Sequence, residues 1–236
     1  MSKTALLAAA AALALTAGGA SAAQPSIGMH GAKKEATIHI VKGGKLLYNQ
    51  NSNSNGDGVD SQNFTSGTYA SYDSSAADDF VVPKKTTWTV TGVDATGAYF
   101  NGSGPATSEN VIFYADAKGV PGKAVKKGTF KNLKGTDSGG SFSIKLGKKG
   151  MKLKAGTYWV AVVANCSFTG GCGEWGWSVN TVIHGNTAVW QAPGGGFGDI
   201  CPSWGTFDEC ISTSGGGFIP NSDVMFDLQG KAKKGK

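Results

Sequence analysis

Tryptophan is the residue type in this chain best suited to binding a small ligand, and four of the six tryptophans lie between residues 175 and 204. These four are Trp175, Trp177, Trp190 and Trp204. An exposed indole ring stacks its flat apolar face on a sugar ring, while neighbouring polar side chains bind the hydroxyl groups. Trp175 and Trp177 share a face if Gly176 belongs to a strand. The four residues are therefore a candidate glycan-binding set, and packing in the core is the alternative interpretation of each.

Glu174 is the best candidate for a catalytic acid. Hydrolysis of a glycosidic bond requires two carboxyl groups that flank the bond. No second carboxylate is close to Glu174 in sequence, so folding would have to bring Asp199, Asp208 or Glu209 near it. The sequence contains no motif of a serine hydrolase, a zinc protease or a nucleotide-binding loop. We therefore predict a protein that is not an enzyme, with a glycan hydrolase using Glu174 as the alternative.

Asp73, Asp78 and Asp79 place three carboxylates close together in the sequence. Such a group repels itself unless a cation or hydrogen-bond donors neutralise it. The three residues are therefore candidate ligands of a structural calcium ion, and the sequence indicates no other cofactor. The alternative interpretation is that these side chains are solvated or bind backbone amides.

Cys166, Cys172, Cys201 and Cys210 indicate two disulfide bonds in an exported chain. Three pairings are open. The chain-entropy model favours a crossing pair such as Cys166–Cys210, but the short loops Cys166–Cys172 and Cys201–Cys210 close more readily during oxidation. We favour the two local bonds. A zinc site of four cysteines is the alternative, although the spacings do not match the short knuckles of such sites.

The N-terminus has the features of a cleavable secretory signal peptide. Lys3 supplies the positive charge, Ala5–Leu15 forms the apolar segment, and Ala20-Ser21-Ala22 fits the cleavage site. An uncleaved anchor is the alternative. No later run approaches the roughly 20 apolar residues that a membrane helix requires. The sequence therefore predicts a secreted or periplasmic protein without a membrane span.

The chain is basic, with a formal net charge of +6, and all 22 of its basic residues are lysines. Arginine, whose planar fork recognises phosphates and base edges, is absent from the sequence, so specific binding of nucleic acid is not expected. Lysines crowd the segment from Lys118 to Lys154, where they alternate with apolar residues as on the solvated face of a strand. A second interpretation is that these lysines adsorb to an anionic cell-surface polymer.

The element that must position the candidate residues is the stretch Gly156–Trp177. Within it, Thr157–Ala164 is apolar on both faces of a strand, which indicates the centre of a covered sheet. A glycine-rich bend and a second aromatic run follow, so we predict a central hairpin with a disulfide bond at the bend. The chain as a whole predicts an all-β fold, a two-sheet antiparallel β-sandwich of jelly-roll type. Its first and last strands are expected to pair around Leu46 and Phe226.

Composition divides the chain into four parts. Residues 1–22 are the signal peptide, 23–45 a linker, 46–230 the β-sandwich domain and 231–236 a disordered lysine tail. The 37 glycines, and the scarcity of helix-forming runs after the signal, favour many short strands joined by tight turns.

Six fragments of the domain form a recognisable set: Tyr72–Phe80, Trp88–Val93, Tyr99–Gly102, Gly156–Val160, Trp175–Trp177 and Gly194–Gly198. Together they resemble a jelly-roll-like β-sandwich module of exported bacterial proteins, over about residues 46–229. The resemblance implies the fold and export, and it carries no activity and no catalytic residues with it.

These observations lead us to expect a secreted, non-enzymatic β-sandwich that binds an extracellular glycan or an anionic cell-surface polymer. The alternatives are the glycan hydrolase using Glu174 and a structural extracellular component without a small ligand. A cleft lined by tryptophan faces would favour binding, and two carboxylates across a groove would favour hydrolysis.

Overall fold

The computed structural model describes residues 24–31, 44–211 and 221–235 as a nearly all-β structure of two stacked sheets. The predicted class, a two-sheet antiparallel β-sandwich, is confirmed. In chain order, the strands of these residues are β1 (Gly28–His30), β2 (Lys45–Asn49), β3 (Asp57–Asp60), β4 (Gln62–Phe64), β5 (Ser75–Ala95), β6 (Gly97–Phe100), β7 (Ser108–Asp116), β8 (Pro121–Leu133), β9 (Thr136–Ser138), β10 (Ser141–Lys145), β11 (Met151–Cys166), β12 (Glu174–Asn180), β13 (Val189–Gln191), β14 (Gly205–Thr206), β15 (Asp223–Val224) and β16 (Phe226–Lys234). Two 3-10 turns, Gly67–Tyr72 and Phe168–Gly170, and the short helix α1 (Phe207–Ile211) complete their regular structure. No helix among the described residues is long and apolar enough to cross a membrane.

The large sheet of the described chain contains eleven strands, and its main path runs β14-β13-β5-β11-β7-β8. β10 and β16 also pair with β5, β2 pairs with β16, β9 pairs with β10, and β4 runs parallel to the end of β11. In the small sheet, β12 pairs with β3, β6 and β15, and β1 pairs with β3. The predicted pairing of the first and last strands of the domain is confirmed, because Leu46 in β2 lies opposite Gln229 in β16.

β11 is the central strand of the large sheet, as its apolar run predicts. β5 pairs with one of its edges and β7 with the other. Every side chain from Trp159 to Cys166 is at most 5% exposed. Val160 and Val162 face the core between the sheets, whereas Trp159 and Ala161 belong to a separate apolar cluster on the outer face of the large sheet. Both faces of this strand are therefore covered.

The core between the sheets is built mainly from aromatic and β-branched side chains. The small sheet contributes Val59, Trp175 and Trp177, and the large sheet contributes Phe80 and Phe142 among others. Phe142 stacks on Trp175 with ring centroids 4.8 Å apart. Burying each such side chain stabilises the fold by roughly 1.5–3 kcal/mol, which explains why large apolar residues alternate along these strands.

The predicted hairpin between β11 and β12 is wrong, because the two strands belong to different sheets. After Cys166 the chain makes a 3-10 turn and crosses to the small sheet. Both edges of β11 are already occupied at this end, by β4 and β7, so no edge remains for β12. The apolar face of β12 packs against the large sheet instead, and this arrangement removes both faces from water.

The two local disulfide bonds predicted from the cysteine spacing are confirmed. Cys166–Cys172 lies at the crossing between the sheets, where its Cα atoms are 5.8 Å apart. Cys201–Cys210 joins the segment after β13 to α1, with Cα atoms 5.6 Å apart. All four cysteines are thus used, so the alternative four-cysteine zinc site is not formed.

The segment predicted as a linker at residues 23–45 is partly built into the sandwich. Ile27 and Met29 are buried, and β1 pairs with β3 in the small sheet. Alternation over three residues is too short to be recognised as a strand in a sequence, and tertiary packing decides its conformation. The predicted signal peptide, residues 1–22, lies outside the described residues.

The lysine tail predicted to be disordered from residue 231 instead continues β16 as far as Lys234. Lys231 lies opposite Thr89 of β5, and Lys234 lies opposite Thr86. β5 is 21 residues long, so its edge offers backbone partners well beyond the apolar part of β16. Backbone hydrogen bonds do not depend on the side chain, and the lysine side chains remain exposed to water.

Candidate ligand-binding cleft

Three of the four candidate tryptophans lie in the core and do not present a ring to a ligand. Trp175, Trp177 and Trp190 are fully buried, and their indole N–H groups donate to backbone carbonyl oxygens at 2.7–2.8 Å. Trp175 and Trp177 do share a face, with ring centroids 6.0 Å apart, but it is the inner face of the small sheet. Alternation shows which residues share a face, whereas burial energy decides that the larger side chains face inward.

Trp204 is the one candidate tryptophan that the structure leaves partly exposed. It lies in the loop closed by Cys201–Cys210 and packs on the outer face of the large sheet. Its ring meets Tyr114 edge to face, with centroids 5.7 Å apart. Only this residue of the predicted set remains available to a ligand.

The three candidate calcium ligands are not brought together. Asp78 is buried toward the core, where it accepts hydrogen bonds from Gln50 Nε2 (2.6 Å) and the Val224 N–H (2.8 Å). Asp79 is the next residue along β5 and so points to the opposite face. Asp73 lies in the loop before β5.

Hydrogen-bond donors contact each of these carboxylates. Asp79 accepts from the backbone N–H and the side-chain amide of Asn186 at 3.1 and 3.0 Å. Asp73 Oδ1 accepts from the Phe64 N–H at 2.7 Å. The described residues contain no group of three or more histidines, cysteines or acids arranged to hold a metal ion. The described structure therefore does not bring Asp73, Asp78 and Asp79 together as one set of ligands, and a structural calcium ion stays a prediction.

Glu174 is buried, and both of its carboxyl oxygens are engaged. Oε1 accepts the Ser26 N–H at 2.5 Å, and Oε2 accepts Asn101 Nδ2 at 2.6 Å. Burial raises the pKa of Glu174 to about 7, while these two hydrogen bonds oppose the shift. The nearby carboxylate is Asp60, whose own pKa is raised well above normal by burial and by the charge of Glu174.

The carboxylates predicted to act together with Glu174 differ from it in their exposure to solvent. Asp199, Asp208 and Glu209 are exposed, whereas Glu174 has no exposed surface. A catalytic acid must reach a substrate, so this carboxyl group does not meet the first requirement of a glycosidase.

The outer face of the large sheet is the side of the molecule that carries a cleft. Trp159, Ala161, Val163 and Asn165 of β11 alternate with the core residues of that strand and face this side. At one end, Trp204 packs against the apolar cluster that contains Trp159. Toward Asn165, polar residues from several strands surround a depression of about 260 Å³.

The cleft has an apolar floor and polar walls. Ile112 of β7 and Val163 of β11 form the floor. The complete lining is Gln62, Asn63, Asp73, Ser74, Ser75, Asn110, Ile112, Lys131, Val163, Gln191 and Pro193. The side chains of Gln62 and Ser74 are held in buried hydrogen bonds, so Asn63, Asn110 and Gln191 supply the accessible amides.

Three asparagines form a row of hydrogen-bonded amides across β4, β11 and β7, here called the amide row. Asn63 Nδ2 and Asn110 Nδ2 both donate to Asn165 Oδ1 at 3.0 Å. Asn165 Nδ2 donates in turn to Ser108 Oγ at 2.9 Å. Asn165 is buried, whereas Asn63 and Asn110 are partly exposed at the cleft. The amide row therefore fixes the two exposed amides in place before any ligand arrives.

Asp73 and Lys131 lie on opposite walls of the cleft. Asp73 is beside β4, and burial raises the pKa of its carboxyl group while the Phe64 N–H opposes that shift. Lys131 is exposed on β8, the edge strand of the large sheet. Neighbouring strands are about 4.8 Å apart, so the three spacings from β4 through β11 and β7 to β8 separate the two walls by about 14 Å.

Sequence reasoning missed these cleft residues because no local spacing joins them. Asn63, Asn110 and Gln191 come from three strands that are far apart in the chain. The signal that was present is alternation along β7, where Asn110 and Ile112 share the face opposite to the buried Phe113. Identifying the cleft also requires knowledge of which strands are neighbours, and β4, β7 and β13 are brought together only by pairing in the large sheet.

Comparison with known proteins adds a distant structural likeness. No protein-family model matches the chain, and no characterised protein matches it in sequence. One similar solved structure contains the cysteine protease and lectin-like domains of Cwp84, a surface layer associated protein of Clostridium difficile. The identity is 12% and the TM-score 0.44, and the match covers 68% of this chain but 32% of that one. At this level of similarity, the functions of that protein do not transfer to this chain.

Proposed function

We propose that this chain is an exported, non-enzymatic β-sandwich that binds a carbohydrate in the cleft on the outer face of its large sheet. One observation supports the proposal most directly: the amides of Asn63, Asn110 and Gln191 surround the apolar floor of Ile112 and Val163. Amides donate to and accept from hydroxyl groups, and an apolar floor contacts the C–H face of a sugar ring.

The amide row is better suited to binding a ligand than a set of flexible polar side chains on a surface would be. Side chains that are already ordered lose little rotamer freedom on binding, a cost of roughly 0.5–1.5 kcal/mol for each flexible side chain that must be immobilised. Asn63 and Asn110 are held by Asn165, and all three are on strands rather than on loops. Less of the binding free energy is therefore lost in ordering the side chains of the cleft.

Two further observations support the proposals that the protein is not an enzyme and that it is exported. Among the described residues that line the cleft, Asp73 alone carries a carboxyl group, and hydrolysis requires two carboxyl groups about 5–10 Å apart. The disulfide bonds Cys166–Cys172 and Cys201–Cys210 are typical of proteins that fold in an oxidising compartment outside the cytosol.

Affinity electrophoresis through gels that contain single soluble glycans, neutral and acidic, tests this function. We expect at least one glycan to retard the protein. Gln191→Ala should weaken that binding about two- to tenfold, the loss expected for one or two hydrogen bonds. Gln191 is partly exposed, so its replacement should leave the thermal stability unchanged.

Asn55→Ala provides a matched control, because Asn55 is an exposed asparagine in the loop before β3, outside the cleft lining. Its binding should equal that of the unmodified protein. Unchanged mobility on every glycan would refute the proposal, and so would equal binding by Gln191→Ala and Asn55→Ala.

A further inference from the structure

The wall of the cleft formed by β8 carries an unusual concentration of positive charge. β8 is an edge strand, and Lys123, Lys126, Lys127 and Lys131 are all exposed on it. The ion pairs closer than 4.0 Å that are seen among the described residues join a histidine to an aspartate. None of them joins a lysine of β8 to a described carboxylate. The charge of this edge is therefore available to a ligand.

Lys131 connects this charge to the cleft, because it is both a residue of β8 and part of the cleft lining. The carboxyl group of Asp73 lies on the other wall, about 14 Å away when counted in strand spacings. The Debye length at physiological ionic strength is about 8 Å, so Asp73 does little to cancel the potential at Lys131. One wall is thus positive while the floor and the amide row are neutral.

We propose that the ligand of the cleft is an acidic polysaccharide, in which the amides bind sugar hydroxyls and Lys131 binds a carboxylate of the polymer. This inference rests on the proposed carbohydrate function and names the chemical class of its ligand. Because β8 is bulged between Ala124 and Thr129, Lys123 and Lys131 lie about five β7 residues apart, so the exposed lysines of β8 extend over about 17 Å. A polymer that continues past the cleft along β8 meets further ammonium groups with its successive carboxylates.

A polysaccharide fits this site better than a nucleic acid does. Single-stranded nucleic acids are held by aromatic side chains that stack on the bases, and none of the described residues that line the cleft is aromatic. Bidentate recognition of phosphates uses arginine, which the sequence lacks. Amide side chains beside an isolated ammonium instead suit hydroxyl groups interspersed with carboxylates.

Titration calorimetry with polygalacturonate and with the same polymer after reduction of its carboxyl groups tests the inference. We expect tighter binding of the acidic form, and a loss of that advantage as sodium chloride is raised from 50 to 300 mM. Lys131→Gln should weaken binding of polygalacturonate about fivefold and leave binding of the reduced polymer unchanged. Lys152→Gln is the matched control, because Lys152 is an exposed lysine near the far end of β11, about 35 Å along the strand from Val163.

Three results would overturn the inference. The first is equal affinity for the acidic and the reduced polymer, which would leave carbohydrate binding intact but remove the charge requirement. The second is an equal loss in Lys131→Gln and Lys152→Gln, which would indicate adsorption by net charge. The third is equal competition by single-stranded DNA. Failure of the proposed function itself would look different, because Gln191→Ala would then leave the binding of every glycan unchanged.

Discussion

A buried tryptophan satisfies its single polar atom inside the protein, and the interior of this sandwich follows that rule. Trp177 donates its indole N–H to the Met225 carbonyl at 2.8 Å, and Trp190 donates to the Asp60 carbonyl at 2.7 Å. An indole in the core thus contributes both apolar area and one satisfied hydrogen bond. Trp204 has a different role, because it is half-buried on the outer face of the large sheet.

Replacement of two tryptophans separates these roles. We expect Trp177→Ala to lower the free energy of unfolding by about 3–5 kcal/mol, the usual cost of removing a large aromatic side chain from a core. Trp204→Ala should cost less than half as much, because its surroundings already contact water. Urea unfolding followed by far-ultraviolet circular dichroism measures both values. Similar losses for the two variants would contradict the assignment of Trp177 to the core.

At the scale of the residue, the sequence predicts which chemistry a side chain can perform, but it does not predict whether that side chain is buried or exposed. Glu174 is a carboxyl group beside a tryptophan, and the pKa of about 7 that burial gives it would suit a general acid. Its burial under the N-terminal segment, through the Ser26 N–H, depends on a contact between residues 148 positions apart. Such contacts leave no local pattern in a sequence.

Strand β16 shows how an element is extended by its neighbour rather than by its own composition. Phe226 and Leu228 are buried core residues, but from Lys231 onward the strand is exposed and rich in lysine. The backbone pairing with β5 continues nevertheless to Lys234. Lysines on such an edge also oppose pairing with another molecule.

Deletion of residues 231–236 tests whether this extension contributes to the fold. We expect a loss of about 1–2 kcal/mol in the free energy of unfolding, because several ladder hydrogen bonds to β5 disappear. The deletion also uncovers the edge of β5 at Thr86–Thr89, so greater self-association is expected in sedimentation analysis. Deletion of residue 236 alone is the control, because it leaves the pairs of β16 with β5 and the hydrogen bond from the Gly235 N–H to the Lys85 carbonyl in place. Equal stability of the two truncated proteins would contradict the pairing.

Most elements of the large sheet could be predicted from alternation and turn residues, but their sheet partners, apart from the pair β2 and β16, could not. Thr157–Ala164 was recognised as a central strand because both of its faces are apolar. The crossing from β11 to β12 was mistaken for a hairpin, since a glycine-rich bend between two apolar runs fits either connection. Which connection forms depends on whether an edge of β11 is free, and that is decided by β4, β5 and β7.

At the scale of the molecule, several buried carboxyl groups have no lysine of the described residues within 4.0 Å. Burial raises the pKa of Asp227 to about 7, assisted by the charge of Asp94, which lies directly opposite on β5. Burial also raises the pKa of Asp223 to about 6 and that of Glu174 to about 7. In the unfolded chain such groups ionise near pH 4. The folded state therefore binds more protons than the unfolded state between about pH 4 and pH 7.

This difference fixes the direction of the pH dependence of stability. Because the folded pKa values are raised, the stabilisation by proton binding is complete below about pH 4 and is lost as the pH rises through 6 to 7. We expect the free energy of unfolding to fall by an amount on the order of 3 kcal/mol between pH 5 and pH 8. Thermal melts across that range measure it. Glu174→Gln should reduce the slope, and a flat profile in the unmodified protein would contradict the raised pKa values.

The fold class and both disulfide bonds were predictable for one physical reason, whereas the pairing of β2 with β16 followed from the expected jelly-roll fold. The fold class and the disulfide bonds depend on apolar periodicity or on short loops, which are local properties of the chain. The cleft depends on Asn63, Asn110 and Gln191 meeting across a sheet, and the inward orientation of Trp175 depends on which side of that sheet is covered. Both are decided by the assembled sandwich.

β11 separates the core between the two sheets from the cleft on the outer face of the large sheet. Val162 is part of the dense interior, while its neighbour Val163 is part of the floor on which we propose the sugar rests. A cavity or an oversized side chain introduced at Val162 will shift the backbone that both residues share. Sugar affinity should therefore report on interior packing, and improvements in affinity are to be sought behind the floor as well as among the groups that touch the ligand.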